Sequence, residues 1–219
     1  MEPEEQQETE AFSPPTKNPA APLVTLYVLI PPSPLFAAHW SFFLPALLEY
    51  DPISERYEES NIGRRIHVSG DRLNGFSLEI VRGYDIRKHR SVGTRRLPIA
   101  LMPDSYLPER DESPNGPSHR RMKDEDEGGG YVDNDPLDDF ERVCVEVDAP
   151  GPSLKSVQTG SQVGENKGRK KKAEVKDCQW WVRKVVELAM SRGMLSPLPV
   201  MNGGGCRGPL EMTKALPVH

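Results

Sequence analysis

One cysteine at the start of an amphipathic stretch is the first residue whose position suggests chemistry. Residues 177–190 read DCQWWVRKVVELAM, and Asp177 is a good N-cap for a helix that begins at Cys178. The positive end of a helix favours thiolate over thiol, so we expect the pKa of Cys178 to lie below that of a free cysteine. Cys178 is therefore a candidate nucleophile, although a cysteine in an apolar helix stripe is more often a packing residue.

The apolar residues of this stretch recur with the period of an α-helix, which places the thiol on the inner side. Polar residues such as Arg183 and Glu187 fall on the opposite side, and Gly193 suits the end of the helix. We therefore predict a core-facing helix that carries a thiol in its first turn. The apolar stripe consists of Cys178, Trp181, Val182, Val185 and Ala189.

Two histidines lie in stretches that alternate in the manner of β-strands. HWSFFL at 39–44 presents His39, and RRIHVS at 64–69 presents His67, each beside a serine on the same face. If the two strands are neighbours, the imidazoles lie close together, and a helix packed on that face brings the thiol to them. One imidazole would then take the thiol proton while the other orients the first. The alternative for each histidine is a hydrogen-bonded structural role.

Short apolar segments between residues 23 and 102 predict the sheet that would position these side chains. They follow one another with little helix between them, which is typical of an antiparallel sheet and predicts an α+β fold. We expect Pro45 to end the second segment and Pro98 to break the fifth. The predicted strands are LVTLYVLI at 23–30, HWSFFL at 39–44, RRIHVS at 64–69, FSLEIVRGY at 76–84 and RRLPIALM at 95–102.

The rest of the chain is polar or rich in proline and glycine, which favours a single domain with flexible additions. The domain is predicted to span residues 23–195, and PLDDFERVCVEV at 136–147 fits either a short helix or a strand. Segments of this composition lack the apolar content that offsets ordering entropy. The predicted disordered or flexible segments are the acidic, Pro-rich tail 1–22, the insertions 103–134 and 150–176, and the tail 196–219.

Composition narrows the possible partners and cofactors. A net charge of −5 and a pI near 5.6 argue against general nucleic-acid binding, which needs an excess of Lys and Arg. Three cysteines are too few for a disulfide framework and have no metal-ligand spacing, so neither a metal nor another cofactor is expected. The oligomeric state is left open.

The location of the protein is predicted from its N-terminus and its apolar runs. The start, MEPEEQQETE, is acidic where a signal peptide is basic, and the run at 23–30 is too short to span a bilayer. We therefore expect a cytoplasmic protein without an integral membrane segment. The basic cluster KGRKKK at 167–172 fits a nuclear-import signal or an anionic-surface patch, and more often such a cluster is a solvated tether.

The order of these motifs resembles that of the permuted papain-like thiol proteins. HW at 39–40, IHV at 66–68 and DCQWWV at 177–182 resemble motifs of lecithin–retinol acyltransferase and its phospholipid-acyltransferase relatives, which are kin of the NlpC/P60 superfamily. The chain is also similar to uncharacterised proteins of filamentous fungi that carry HWSFFLP-, RRIHVSGD- and DCQWW-like blocks. The resemblance implies that Cys178 is the nucleophile, His39 the general base and His67 the orienting third member.

This resemblance implies a cysteine-dependent hydrolase or acyltransferase. Cys178 would attack an ester, thioester or amide of a small-molecule or peptide substrate and form an acyl-enzyme. The N–H groups at the start of the helix would stabilise the oxyanion. The alternative is a non-catalytic binding or accessory protein that keeps the fold, so enzyme activity is left open.

Overall fold

The computed structural model describes eight ranges of the chain, and all structural statements below concern them. These ranges hold seven strands, three α-helices and one 3-10 helix, Asp104–Tyr106. The described residues are 23–32, 38–51, 56–88, 93–107, 121–124, 128–153, 176–199 and 207–217. The strands are β1 Leu23–Ile30, β2 Ser41–Asp51, β3 Arg56–Asp71, β4 Gly75–Asp85, β5 Arg95–Pro103, β6 Arg121–Met122 and β7 Tyr131–Val132; the helices are α1 Asp139–Glu146, α2 Cys178–Ser191 and α3 Pro209–Ala215.

The strands form one antiparallel sheet in the order β5-β1-β2-β3-β4-β7-β6. Apolar side chains on one sheet face pack against α1 and α2, and the rings of Phe42 and Trp181 lie 5.7 Å apart. A smaller apolar cluster that includes Phe43 and Tyr84 occupies the other face. The predicted α+β architecture, with an antiparallel sheet packed against a cysteine-bearing helix, is confirmed.

Both prolines expected to interrupt strands lie inside them. Pro45 pairs with Gly63 of β3, and the β1–β2 pairing extends no further along β2 than Phe43, so Pro45 lies where β2 has β3 as its neighbour. Pro98 belongs to β5, the edge strand, beside a register shift. A proline is tolerated at an edge or a bulge because its missing N–H removes no essential ladder bond there. The predicted end of the second strand at Pro45 and the predicted break of the fifth strand at Pro98 were wrong.

Residues 136–147, which periodicity left open, contain α1. The Asp138 side chain caps this helix by accepting the N–H of Glu141 at 2.7 Å. Phe140, Val143 and Cys144 are buried in the main core. The capping residue and the buried stripe decide for helix over strand.

The insertion predicted at 103–134 contributes to the sheet at its far end. Tyr131 and Val132 pair with β4, and β6 pairs with β7. The backbone N–H of Asp85 donates to the Gly128 carbonyl at 2.9 Å, and Gly128 has a φ of +100°. A Cβ there would lie 2.2 Å from the Tyr84 ring, so the glycine allows this close approach. The prediction of a loop throughout this segment was therefore wrong for its last part.

The tail predicted to be flexible from 196 to 219 also contributes to the packing. Ser196 forms a β-bridge with Leu101, and residues 209–215 form α3. Thr213 is buried, and the indole Nε1 of Trp40 donates to the Pro217 carbonyl at 3.1 Å. Backbone and indole hydrogen bonds join the described part of this segment to the domain, beyond the predicted domain end at 195.

Several sequence predictions lie partly or wholly outside the described residues. The predicted disordered tail 1–22 and the basic cluster 167–172 lie entirely outside the described residues. Residues 154–175 of the predicted insertion 150–176 also lie outside them. Among the described helices, none is long and apolar enough to cross a membrane.

Candidate functional site

Cys178 is the first residue of α2, as the sequence predicted, and its helix start is tightly held. The Asp177 carboxylate accepts the N–H groups of Gln179 and Trp180 at 3.0 and 3.1 Å. Its second oxygen accepts from Arg72, which follows β3, at 2.7 Å. Helix capping and an ion pair with a residue distant in sequence therefore fix the first turn of α2 at the end of the sheet where β3 finishes.

The segment that leads into β2 lies directly against this first turn. The backbone N–H of Trp40 faces the Cys178 sulfur and favours its thiolate form. The Gln179 side chain donates through Nε2 to the carbonyl of Ala38 at 2.9 Å. Because these two contacts flank His39, the thiol and His39 lie at the same end of the sheet.

The two histidines are joined by a direct contact. Nε2 of His39 lies 3.0 Å from Nδ1 of His67, and the rings meet edge-on at 84°. The register that pairs Phe42 with Ile66 brings them together, since it sets residues 39 and 67 at neighbouring positions on one face. The predicted proximity of His39 and His67 is confirmed.

Glu79 and Lys123 extend this histidine pair, and the sequence analysis missed both. Nε2 of His67 lies 3.4 Å from Oε2 of Glu79, which also lies 2.7 Å from Nζ of Lys123. The signal for Glu79 was present: a hairpin turning between Asp71 and Gly75 sets His67 opposite Glu79. No such local signal exists for Lys123. The pairing of β6 and β7 with β4 brings this residue to Glu79 from a distant part of the sequence.

Burial and nearby charge fix the protonation of this pair. Burial, assisted by the positive charge of Arg65, lowers the pKa of His67 to about 4, although Glu79 opposes the shift. His67 is therefore neutral at pH 7. Contact with His67, reinforced by Lys123, holds the pKa of Glu79 far below its usual range in spite of burial. The buried unit at neutral pH is a neutral imidazole beside a carboxylate–ammonium pair.

The thiol differs from expectation in its acidity. Cys178 is 8% exposed, and burial raises its pKa above the ordinary value. The adjacent Asp177 charge raises it further, while backbone N–H groups, that of Trp40 foremost, oppose the shift. The helix N-terminus does not prevail because the burial of the thiol outweighs the effect of the backbone N–H groups. The resting state favoured by this environment is a thiol rather than the predicted thiolate.

The helix-start N–H groups also differ from expectation. Those of Gln179 and Trp180 are bound by the Asp177 side chain, and that of Trp181 donates to the Asp177 carbonyl at 2.9 Å. The N–H groups of Gln179 and of Cys178 itself both favour the thiolate. An oxyanion formed at this sulfur would therefore meet these N–H groups, and not the whole first turn.

The packing of α2 uses the sheet face opposite the histidines. Ile66 and Val68 belong to the core with the α2 stripe, so His67 between them points to the other face. The prediction that α2 packs on the histidine face was wrong, because an apolar helix stripe excludes charged and polar neighbours. The thiol and His39 lie instead at the same end of the sheet, where the chain enters β2.

The other two cysteines of the chain are not placed at this site. Cys144 is fully buried in the core, where burial raises its pKa well above the ordinary value, as suits a packing thiol. Cys206 lies outside the described residues. Within the described ranges, no three His, Cys, Asp or Glu side chains are arranged to hold a metal ion.

The fold and the site together define an α+β protein with a helix-start thiol at the same sheet end as a histidine pair. Residues 26–196 match the model of a family described as a family of unknown function, DUF6540. Because the match covers more than half of the 219 residues, the chain belongs to this family. No curated protein and no solved structure matches the chain.

Proposed function

We propose that this protein is a cysteine-dependent hydrolase or acyltransferase with a permuted papain-like fold. The observation that carries the proposal is the 3.0 Å contact between His39 and His67 at the sheet end where the Trp40 N–H faces the Cys178 sulfur. The chain order of the motifs, with both histidines ahead of the cysteine, supports the permuted arrangement.

The proposed reaction begins with an ester, thioester or amide carbonyl beside Cys178. As the sulfur adds to the carbonyl carbon, the thiol proton moves to the His39 imidazole, and the carbonyl π electrons pass to oxygen. The Cys178 N–H stabilises this oxyanion. Proton transfer during the attack suits a buried thiol of raised pKa, which has no need to ionise beforehand.

Collapse of the tetrahedral intermediate releases the first product. The C–O, C–S or C–N bond breaks, and the leaving group takes the proton held by the His39 imidazolium, which leaves a thioester on Cys178. Water or a second acceptor then gives its proton to His39 and attacks the thioester. The thiol regains that proton as the acid or the transferred acyl product departs. His67, held against His39, orients its ring throughout.

The alternative function, a non-catalytic binding or accessory protein, is favoured by one observation. The Cys178 thiol is 8% exposed, and its environment raises its pKa. A sealed, protonated thiol on a core-facing stripe is a packing residue. The two functions differ in whether an acyl group ever becomes attached to this sulfur.

Trapping the acyl-enzyme tests the proposal. The full chain is mixed with a p-nitrophenyl ester, an alkyl thioester and an anilide, and intact-mass spectrometry followed by peptide mapping locates any acyl group. The expected result is one acyl group on Cys178 in the wild type and none in Cys178→Ser at the same residue. His39→Ala should slow acylation by roughly 10²–10⁴-fold, the usual contribution of a general base.

A matched control uses the other described cysteine. Cys144→Ala removes a core thiol and should leave acylation of Cys178 unchanged in folded protein. Absence of acylation with all three substrates, or equal rates in wild type and His39→Ala, would overturn the enzymatic proposal and leave the binding function.

A further inference from the structure

Four polar side chains form a continuous line that starts at His39 and runs across β3 and β4. The successive contacts are 3.0 Å from His39 to His67, 3.4 Å from His67 to Glu79 and 2.7 Å from Glu79 to Lys123. The middle contact has the distance of an ion pair and lies outside hydrogen-bond geometry. The side chains of His67, Glu79 and Lys123 are 6%, 9% and 12% exposed, so bulk water contributes little to their hydrogen bonding. The line begins at His39, the proposed general base, and ends at Lys123, which follows β6.

The chemistry of the carboxylate fixes the direction of every proton in this line. Ionised Glu79 has acceptors only, so the ring nitrogen facing it, Nε2 of His67, carries the proton. A neutral His67 then presents Nδ1 as an acceptor, and Nε2 of His39 must donate to it. In neutral His39 the lone pair therefore resides on Nδ1.

We propose that Glu79 is a positioning residue of the acyl-transfer site, which acts through His67 to fix the tautomer of His39. The inference rests on the proposed function in one respect, since it assigns Nδ1 of His39 as the atom that receives the thiol proton. Lys123 keeps the Glu79 carboxylate ionised and oriented. The segment between β5 and α1 thus supplies Lys123, the last side chain of the line.

Charges of opposite sign face His67, and they make the proposal testable. The groups that contact or surround its ring are His39 from the segment before β2, Arg65 on its own strand, Glu79 on β4 and Lys123 after β6. Glu79 raises the pKa of His67, whereas Arg65 and Lys123 lower it. Removing Glu79 and removing Lys123 must therefore move the His67 titration in opposite directions.

The experiment combines histidine ¹⁵N NMR with the acylation assay. In the wild type, His67 should show the Nε2–H tautomer across neutral pH. Glu79→Leu should abolish that preference, lower the His67 titration and slow Cys178 acylation by roughly 10-fold to 100-fold, less than the whole general-base contribution. Lys123→Met should raise the His67 titration and leave the tautomer intact.

A conservative variant and a matched control separate positioning from folding. Glu79→Gln keeps an oxygen that accepts from His67, so it should retain the tautomer and restore acylation to within roughly threefold of the wild type. Glu59→Leu removes a carboxylate elsewhere on β3, one that accepts from Arg96 at 2.6 Å, and should leave His67 unchanged.

The outcomes distinguish this inference from the proposed function. A wild type that is never acylated overturns the acyl-transfer function, while the NMR data still decide whether Glu79 controls the His67 tautomer. An acylated wild type whose His67 tautomer and rate survive Glu79→Leu overturns the positioning role alone. Shifts of the same sign in Glu79→Leu and Lys123→Met overturn the charge assignment on which the line depends.

Discussion

The strand pair β3–β4 carries a buried polar cluster on each of its two faces, and the two clusters are built differently. On the helix side, Arg64 and Arg82 bind Glu141 of α1. On the other side, His67 and Glu79 face each other in the same strand pair. One pair of strands thus supports two kinds of polar burial.

The helix-side cluster makes many charge-assisted hydrogen bonds, although Nε of Arg82 lies only at ion-pair distance from Asp133, 3.6 Å. Both terminal nitrogens of Arg82 donate to the Glu141 carboxylate at 2.8 Å, and the Leu137 N–H donates to it at the same distance. The arginines hold the pKa of Glu141 below its usual range against the effect of burial. A cluster with this many charge-assisted bonds locks α1 to the sheet.

The opposite cluster is less complete. Its His67–Glu79 contact is 3.4 Å, long for a hydrogen bond, and its histidine is kept neutral by burial. Perturbed titration beside a second histidine is typical of a functional site, whereas full pairing is typical of a structural one. The number of charge-assisted hydrogen bonds, rather than burial alone, separates the two roles here.

The largest expected effect comes from breaking the helix-side cluster. Glu141→Leu leaves two buried arginines without their main carboxylate, so the free energy of unfolding should fall by about 3–5 kcal/mol. Urea unfolding measures the loss. Glu146→Leu, which removes an exposed partner of Arg192, is the control and should cost less than about 1 kcal/mol. A small loss in Glu141→Leu would mean that the cluster does not hold α1.

The next effect is an acid-dependent loss of stability from the other cluster. Because His67 titrates near 4 when folded and near 6.5 when unfolded, the unfolded chain binds more protons in between. Stability should therefore fall as pH drops from about 6.5 to about 4, by about 3 kcal/mol from this group. Glu79, whose folded pKa is depressed, adds a further loss as pH falls below its unfolded value.

Replacing the imidazole isolates this contribution. His67→Gln has no titrating group at that position, so its unfolding free energy should vary less with pH between 4 and 6.5 than that of the wild type. Urea unfolding at a series of pH values provides the comparison. Equal pH dependence in the two proteins would show that His67 is not buried in the neutral form.

The smallest expected effect separates the anchoring of α2 from the chemistry of its thiol. Asp177→Ala removes the N-cap and should cost about 1 kcal/mol. It should also lower the Cys178 pKa, because the capping charge that raises it is gone. Thermal unfolding and the pH dependence of iodoacetamide alkylation measure the two effects. A rise in the Cys178 pKa in this variant would contradict the electrostatic account of the thiol.

Much of the fold follows from local signals. The apolar run at 23–30 is β1, and the stripe from Cys178 with its Asp177 cap is α2. The β3–β4 hairpin follows from the turn between Asp71 and Gly75. Local signals failed at the prolines, because whether a strand tolerates proline depends on its neighbours in the sheet.

The candidate site was predicted only in part. His39, His67 and Cys178 were identified from residue type and alternation, and the meeting of the two histidines is confirmed. Glu79 was overlooked although the hairpin places it opposite His67. The position of Lys123 could not be predicted, because it depends on the pairing of two short strands, β6 and β7. The face used by α2 was mispredicted, since the same alternation that groups the histidines sends the apolar residues to the opposite side.

The sequence by itself determined the antiparallel α+β class, the helix that begins at the thiol and the face shared by the histidines, because these depend on local periodicity and capping. Only the tertiary structure decided the acidity of Cys178 and His67, since burial and the charges of Asp177, Arg65 and Glu79 come from elements folded together. It also decided how many hydrogen bonds each polar cluster makes. Both results have one physical cause: the cost of burying a charge depends on partners that the chain brings from a distance.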